Sequence, residues 1–279
     1  MVFNPHPDVW FVMASLLGAY AAAMRFLGPS HVSPGESPMS KWQVRSFALG
    51  VAALWIGADW PVHEMAEKYL FSVHMAQHFL FSLVAAPLLL AGLPGWLVRW
   101  LISPRPVMAV MRLLTKPLIA MVLYNGYLVF SHWPGFVEAT LRSHGLHFAA
   151  HFILVGTALL MWWPVLSPLP ELPRLSQPGQ ILYLFLSTIV PTVPASFLTF
   201  AQTTFYKTYA SAPRLLPSLD ALTDQRLAGL VMKVGGGLLL WTIIAVLFFR
   251  WSAKEESGSP DAVDWQQLER RVNEIGSAK

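Results

Sequence analysis

Long apolar segments constrain the fold of this chain more than any other feature of its sequence. Seven of them, bounded by proline, glycine or charged residues, are about long enough to cross a bilayer as helices. Hydrophobic residues make up 55% of the 279 residues and charged residues only 12%, whereas a soluble domain is about a quarter charged. We therefore predict an all-α, polytopic transmembrane helix bundle with seven spans at 9–26, 44–59, 72–92, 117–132, 146–166, 179–201 and 227–250.

Lysine and arginine are divided unevenly between the two sets of loops that seven spans create. Thirteen lie on the side of the connectors 27–43, 93–116 and 167–178 and the C-terminal tail, and five lie on the other side. Because positively charged loops stay in the cytoplasm, we predict an external N-terminus and a cytoplasmic C-terminus. Residues 1–255 then form the transmembrane domain, and residues 256–279 form a cytoplasmic tail with a short amphipathic pattern.

The composition also excludes several classes of function. The chain has no cysteine, which rules out disulfides and thiolate metal sites and leaves histidine, methionine and carboxylates as ligands. The net charge of +4 comes mainly from loop residues that set orientation, and no basic groove interleaved with aromatic residues indicates nucleic-acid binding. The N-terminus lacks a basic region and a small-residue cleavage site before its first apolar run, so we expect that segment to be retained.

Seven of the nine histidines lie at or near the ends of apolar segments, and the predicted topology places all seven on the outer side. Imidazole beside a hydrocarbon layer is costly, so such residues indicate a functional site. His74 and His78 are four residues apart in one segment. His144, His147 and His151 follow at spacings of three and four in another, so each set lies on one helical face. We predict that these five histidines hold a metal ion or a haem near the external surface.

Weaker candidates surround these five histidines. Thioethers suit soft Cu(I), although packing explains a methionine more simply. Nearby imidazoles and carboxylates can add ligands, and the full set of weaker candidates is Met65, Met75, Met232, His63, His132, Asp59 and Glu64. Asp224, at the start of the seventh span, can orient a ligating imidazole or cap the N-terminus of its helix. No role is assigned to His6 or His31.

Four segments carry a further indication. They are FSVHMAQHFLFSLVAAPLLLAG (71–92), HGLHFAAHFILVGTALLMWWPVL (144–166), FYKTYA (205–210) and LTDQRLAGLVM (222–232). In order and spacing they resemble the membrane-embedded CtaG-type assembly factors of caa-type cytochrome c oxidases. The resemblance covers most of the chain, and it implies a factor in the cytoplasmic (cell inner) membrane that binds copper near the outer face and helps deliver it to the oxidase.

The same resemblance implies partners and ligands. The partners are cytochrome c oxidase subunits, membrane lipid and an extracytoplasmic copper donor protein. The metal ligands that carry over by the match are His74, His78, His144, His147 and His151. Lys233 departs from the family pattern, which favours tryptophan there. A cation among the histidines would disfavour Cu(I), so the position of Lys233 bears directly on the copper assignment.

Two alternative functions use the same part of the chain. A haem b held between histidines of two helices, such as His78 and His151, would make the protein an electron-transfer protein or an oxidoreductase, and zinc is an alternative ion. A transporter would need polar residues continuing into the cytoplasmic halves of the spans, which are nearly all apolar. Pro164, Pro191 and Pro194 predict kinks beside a small polar cavity, but bent helices are weak evidence of transport. We therefore expect a non-catalytic copper-binding factor.

Overall fold

A computed structural model describes residues 3–33 and 36–258, so the predicted tail beyond residue 258 lies outside the described residues. The described chain is all-helical and holds no strand, which confirms the predicted all-α class. Three π-helical segments interrupt it at Ala23–Leu27, Leu80–Ala85 and Val231–Gly235. The α-helices are α1 (Pro7–Ala22), α2 (Lys41–Ala58), α3 (Val62–Lys68), α4 (Phe71–Phe79), α5 (Ala86–Gly92), α6 (Gly95–Ile102), α7 (Arg105–Leu114), α8 (Pro117–Ser131), α9 (Pro134–Arg142), α10 (His144–Leu166), α11 (Gln177–Ser187), α12 (Ile189–Thr199), α13 (Lys207–Ser211), α14 (Ala221–Leu230) and α15 (Gly236–Gly258).

Helices occupy all seven predicted spans, but they differ in length and apolarity. Five continuous helical segments of the described chain are long and apolar enough to cross a membrane. Helices α7 and α8, which are bent by 77° at the break between them, form a sixth candidate span if they cross together. The 18-residue α2 begins with Lys41, Gln43 and Arg45, which lower its apolarity. The chain is thus a multi-pass membrane protein, while seven spans and the orientation of the termini stay predictions. The five continuous candidate spans are Pro7–Ser30, Phe71–Gly92, His144–Leu166, Gln177–Thr199 and Ala221–Glu256.

The packing of α2 against the third predicted span positions the start of the candidate site. A Cβ atom at Gly57 would stand 2.5 Å from the ring of Phe81, so only glycine allows this approach. The carbonyl of Gly57 accepts a hydrogen bond of 2.7 Å from the side-chain amide of Gln77, which is buried. The end of α2 is therefore hydrogen-bonded to α4, the helix that carries the HMxQH motif (residues 74–78).

Short helices close one end of the bundle, which we call the histidine end. Helices α3, α9 and α13 lie there beside the first turns of α4, α10 and α14. The hydroxyl of Tyr209 donates to the carbonyl of Ala66 at 2.7 Å, and the hydroxyl of Tyr206 donates to the carbonyl of His132 at 3.0 Å. Both tyrosines are buried, so α13 and the loop before it fasten α3 to the end of α8.

The opposite end of the bundle carries α6 and α7. Its contacts between elements include an exposed ion pair of 2.7 Å between Arg99 and Glu171 and a hydrogen bond of 2.7 Å from the indole of Trp96 to the carbonyl of Pro38. Tryptophan and arginine suit the boundary between apolar and aqueous surroundings. Between the two ends, apolar side chains fill the core along α2, α5, α8 and α10.

Candidate metal centre

The first turn of α4, the helix of the HMxQH motif, is capped by a carboxylate from another helix. Asp224 of α14 is buried and accepts hydrogen bonds from the backbone N–H groups of Phe71 at 2.7 Å and Ser72 at 3.3 Å. It also accepts from the Ser72 hydroxyl. The N-cap of α14 itself is Asp220. The predicted roles of Asp224 are therefore corrected: its described side-chain hydrogen bonds cap α4 across the bundle, where a carboxylate also complements the helix dipole.

Three imidazoles meet between α4 and α10. Nε2 of His151 lies 3.2 Å from Nε2 of His78. One ring nitrogen from each of His74, His78 and His151 lies within 4.8 Å of the other two, and we call these residues the His74 group. His74 is buried, and its Nδ1 atom has no hydrogen-bond partner among the described residues. Buried polar atoms are normally paired, so this nitrogen is available to a ligand.

A second set of ligand atoms adjoins the first, and we call its members, His63, Glu67 and His147, the His63 group. Oε1 of Glu67 lies 3.4 Å from Nε2 of His63 and 2.9 Å from Nδ1 of His147, although this closer contact lacks the alignment of a hydrogen bond. Nδ1 of His63 lies 3.3 Å from the side-chain nitrogen of Gln77. An amide N–H can only donate, so Nδ1 accepts and the proton of His63 is on Nε2, towards Glu67.

His147 joins the two groups. Its Nε2 atom lies 3.2 Å from Nε2 of His151, which is itself 3.2 Å from Nε2 of His78. A neutral imidazole nitrogen carries either one proton or one lone pair, so Nε2 of His151 cannot form a full hydrogen bond to both neighbours. A cation bound at Nε2 of His151 would remove this conflict, because neutral imidazole nitrogens are good ligands for transition metals. The chemistry of these residues therefore fits a metal ion.

The charge states of His63 and Glu67 also suit metal binding, and both residues lie on α3, outside the candidate spans. Burial lowers the pKa of His63 to about 4, so this imidazole is neutral at pH 7. Burial alone would raise the pKa of Glu67, but the nearby His147 and His63 outweigh burial and hold that pKa below its ordinary value. Neutral imidazole and ionised carboxylate are the forms that bind metals.

The structure brings together four of the five histidines predicted as one site, and it places His144 apart. The exposed imidazole of His144 lies 3.2 Å from a carboxylate oxygen of Asp8, at the start of α1. Helix α10 begins at His144, so this ring lies at the edge of the bundle although its spacing predicts the same helical face. His144 and Asp8 line an outer groove of about 320 Å³ that also reaches His147 and His151.

Glu67 was not singled out from the sequence and His6 was assigned no role, but the structure places Glu67 in the His63 group and His6 beside it. Glu67 follows His63 by four residues, a spacing that places both on one face of a helix and that could have found it. The carboxylate considered instead, Glu64, forms an ion pair of 2.8 Å with Lys68. His6 is buried with its ring 5.0 Å from that of His63, a contact made by tertiary packing that no local pattern signals.

The remaining weaker candidates on this side have structural contacts. Asp59 accepts hydrogen bonds from the indole nitrogens of Trp10 at 2.7 Å and Trp55 at 2.8 Å. These bonds tie the ends of α1 and α2 together. Met65 lies half-buried on α3, outside both groups.

A cavity of about 80 Å³ lies beside His78 and is lined by His132, Met75, Met232 and Lys233. Nε2 of His132 is 3.3 Å from the sulfur of Met75. Lys233 and His78 therefore line the same cavity. Lys233 does not line the outer groove, whose wall includes His63, His147 and His151. The wall also includes Pro191 beside the break between α11 and α12, where a kink was predicted.

The sequence profile of the cytochrome c oxidase caa3 assembly factor family (CtaG) matches residues 18–254. The chain belongs to this family. The matched segment contains both histidine groups and the residues of the cavity, and it confirms the resemblance drawn from the motifs.

Two uncharacterised proteins are similar to this chain, one from Mycobacterium bovis and one from Mycobacterium tuberculosis. Each is 26% identical to it over an alignment of 215 positions, and the alignment covers 67% of this chain and 30% of the relative. The chain therefore spans less than a third of the length of these curated relatives. No solved structure matches the chain.

Proposed function

We propose that this assembly factor binds copper at the His74 group together with His147, and that it helps deliver the copper to a cytochrome c oxidase. The observation that carries the proposal is the position of His151 Nε2, which lies 3.2 Å from Nε2 of His78 and 3.2 Å from Nε2 of His147, within reach of a ring nitrogen of buried His74. Membership of the oxidase assembly family supports a cytochrome c oxidase as the recipient. The copper is cargo in this proposal, and no catalytic step is needed.

The ligand chemistry supports copper as the cargo. Imidazole nitrogen binds Cu, Zn, Fe and Ni, and a given nitrogen site generally holds Cu²⁺ more tightly than Zn²⁺. Ligating histidines commonly face a carboxylate through their other nitrogen, which sets the ring orientation and tautomer. Glu67 lies on that side of His147, since its oxygen is 2.9 Å from Nδ1 while Nε2 is 3.2 Å from Nε2 of His151, and a small rotation of either side chain would align the contact as a hydrogen bond.

The outer groove supplies a route from the surface to the cluster. It runs between α1 and α10 and is lined by His6, His63 and the exposed pair of Asp8 and His144 before it reaches His151. Successive imidazoles along such a groove allow a metal to move by exchange of one ligand at a time. We propose that an extracytoplasmic donor protein delivers copper there, at the outer face of the cytoplasmic membrane, an orientation that the distribution of lysine and arginine favours.

The same distances favour a single ion over haem b, the alternative function. A haem iron with two axial imidazoles lies between nitrogens on opposite faces of the porphyrin, each about 2.0 Å away, so those nitrogens stand about 4 Å apart. Nε2 of His78 and Nε2 of His151 are 3.2 Å apart. That distance suits two ligands on the same side of one ion.

Metal analysis of the purified full-length protein, combined with its optical spectrum, tests the proposal. We expect copper in the wild type and its loss in the double variant His78→Ala/His147→Ala. His144→Ala is the matched control, because this histidine lies on the same helix but pairs with Asp8, and it should retain copper. Copper retained by the double variant would overturn the assignment of the site. A Soret band in the spectrum would favour haem instead.

A further inference from the structure

The hydrogen bonds of His132 determine which of its ring nitrogens carries the proton. Nδ1 lies 2.6 Å from the backbone carbonyl of Leu128, and a carbonyl can only accept, so the proton of the neutral ring is on Nδ1. The lone pair is then on Nε2. A histidine that ligates a metal typically donates its other N–H to a carbonyl or carboxylate in this way. The ring is also held through its backbone carbonyl, which accepts from Tyr206.

The lone pair of His132 faces sulfur. Nε2 of His132 is 3.3 Å from Sδ of Met75, and the thioether has lone pairs but no proton to donate. The two atoms therefore oppose one another without a hydrogen bond between them. One ion can bridge this separation at bond lengths of about 2.0 Å to nitrogen and about 2.3 Å to sulfur. Met75 is buried, and Met232 packs against the same apolar cluster and lines the same cavity.

We propose that His132 and Met75, with Met232 as a further thioether, form a second metal site, distinct from the His74 group and selective for a soft monovalent cation of the Cu(I) type. Thioether and imidazole ligands together favour Cu(I) over harder divalent ions. The cavity gives the ion a place of its own, since it is lined by these three residues and not by His74 or His151.

The second site adjoins the first through one residue. His78 lines the cavity and also contacts Nε2 of His151, so it lies next to both proposed sites. Lys233 lines the cavity as well, and its positive charge opposes a bound cation there. A site that must pass an ion onward has to bind it weakly enough to release it. The second site is thus the weaker of the two, and its use as an exit for copper rests on the proposed function, whereas its existence as a binding site does not.

X-ray absorption of the full-length protein loaded anaerobically with Cu(I) tests the second site. Because the chain has no cysteine, any sulfur bound to copper comes from methionine. We expect a copper–sulfur contribution at about 2.3 Å in the wild type. It should fall in Met75→Leu and in His132→Phe and vanish in Met75→Leu/Met232→Leu. It should persist in Met161→Leu, the matched control, because Met161 is a buried methionine that lines the same cavity.

The outcomes separate this site from the proposed function. A wild-type protein that binds Cu(I) without sulfur overturns the second site, even if a variant fails to fold. So does a sulfur contribution that survives in Met75→Leu/Met232→Leu, because the sulfur then comes from a methionine outside the proposed site. His151→Ala removes a ligand of the first site and leaves His132, Met75 and Met232 in place, so it should weaken nitrogen-only binding and keep the sulfur contribution. If it instead leaves all binding unchanged, the proposed function fails while the second site stands.

Discussion

At the histidine end of the bundle, ionisable side chains are buried and reach one another across helices, whereas at the opposite end the charged contacts are exposed. Every buried histidine and carboxylate of the described residues lies at the histidine end: His6, His63, Glu64, His74, His147 and Asp224. The buried polar side chains nearer the opposite end are neutral and donate to backbone carbonyls, as Ser46 does to Leu88 at 2.8 Å. Burying ionisable groups is costly unless they are paired or bind an ion, so this difference places function at one end.

The largest effect should come from the buried carboxylate that starts α4. Asp224→Ala leaves two backbone N–H groups and a hydroxyl without their acceptor. We expect a loss of about 3 kcal/mol in the free energy of unfolding, since each unsatisfied group costs about 1 kcal/mol or more. Denaturant unfolding of the purified protein measures it. The control, Asp220→Ala, removes an exposed cap at the same end and should cost much less. Equal losses of unfolding free energy in the two variants would show that the burial of Asp224 does not increase its contribution to stability.

The next effect concerns metal affinity rather than stability. Glu67→Gln removes the carboxylate charge beside His147 and His63, and we expect copper binding to weaken about 10- to 100-fold, as for other residues that orient ligating histidines. Competition with a chelator of known affinity gives the number. Glu64→Gln is the matched control on the same helix, because Glu64 pairs with Lys68 and should leave the affinity unchanged. If Glu67→Gln and Glu64→Gln bind copper with the same affinity, Glu67 does not contribute to metal binding.

A smaller effect of opposite sign is expected at the cavity. Lys233→Leu removes the positive charge from the wall shared with His132 and Met75, so Cu(I) should bind there about tenfold more tightly, as a screened repulsion of about 1–2 kcal/mol predicts. The strength of the copper–sulfur contribution at limiting Cu(I) reports the change. Weaker binding in this variant would mean that Lys233 supports the site instead of opposing it.

The smallest expected effect is on the melting temperature as a function of pH. Two glutamates, one at each end of the bundle, test it. Burial alone would raise the pKa of Glu138, but hydrogen bonds from Thr208 and the charge of Arg142 lower it below 4.5. A depressed pKa stabilises the fold above the unfolded pKa, and this stabilisation is lost as pH falls through the folded value. We expect Glu138→Gln to lower the melting temperature slightly at pH 7 and to match the wild type in acid.

Glu171 provides the contrast at the opposite end. Its pKa is lowered by the hydrogen bond from Arg99, but both partners of this ion pair are exposed, and exposed pairs contribute little to stability. Glu171→Gln should therefore leave the melting temperature unchanged at either pH. A shift as large as that of Glu138→Gln would remove this distinction between the two ends.

Local patterns in the sequence predicted the features that depend on local spacing. The apolar segments led to helices at all seven predicted places, because span length follows from bilayer thickness and helical rise. The pairs His74–His78 and His147–His151 face one way because residues four apart lie on one helical face. The order of these motifs was also enough to predict the family, which the match over residues 18–254 confirms.

Only the tertiary structure decided which side chains meet across helices. Whether His144 joins the cluster depends on where α10 begins, and its position at the first turn leaves it at the surface beside Asp8. Asp224 caps α4 because α14 packs beside it, a choice between two helices that no spacing within either one encodes. Helix rotation and packing bring Glu67 to His147 and separate His132 from the His74 group. The sequence by itself thus determined a membrane bundle with histidines at one end, and packing divided those histidines into sites.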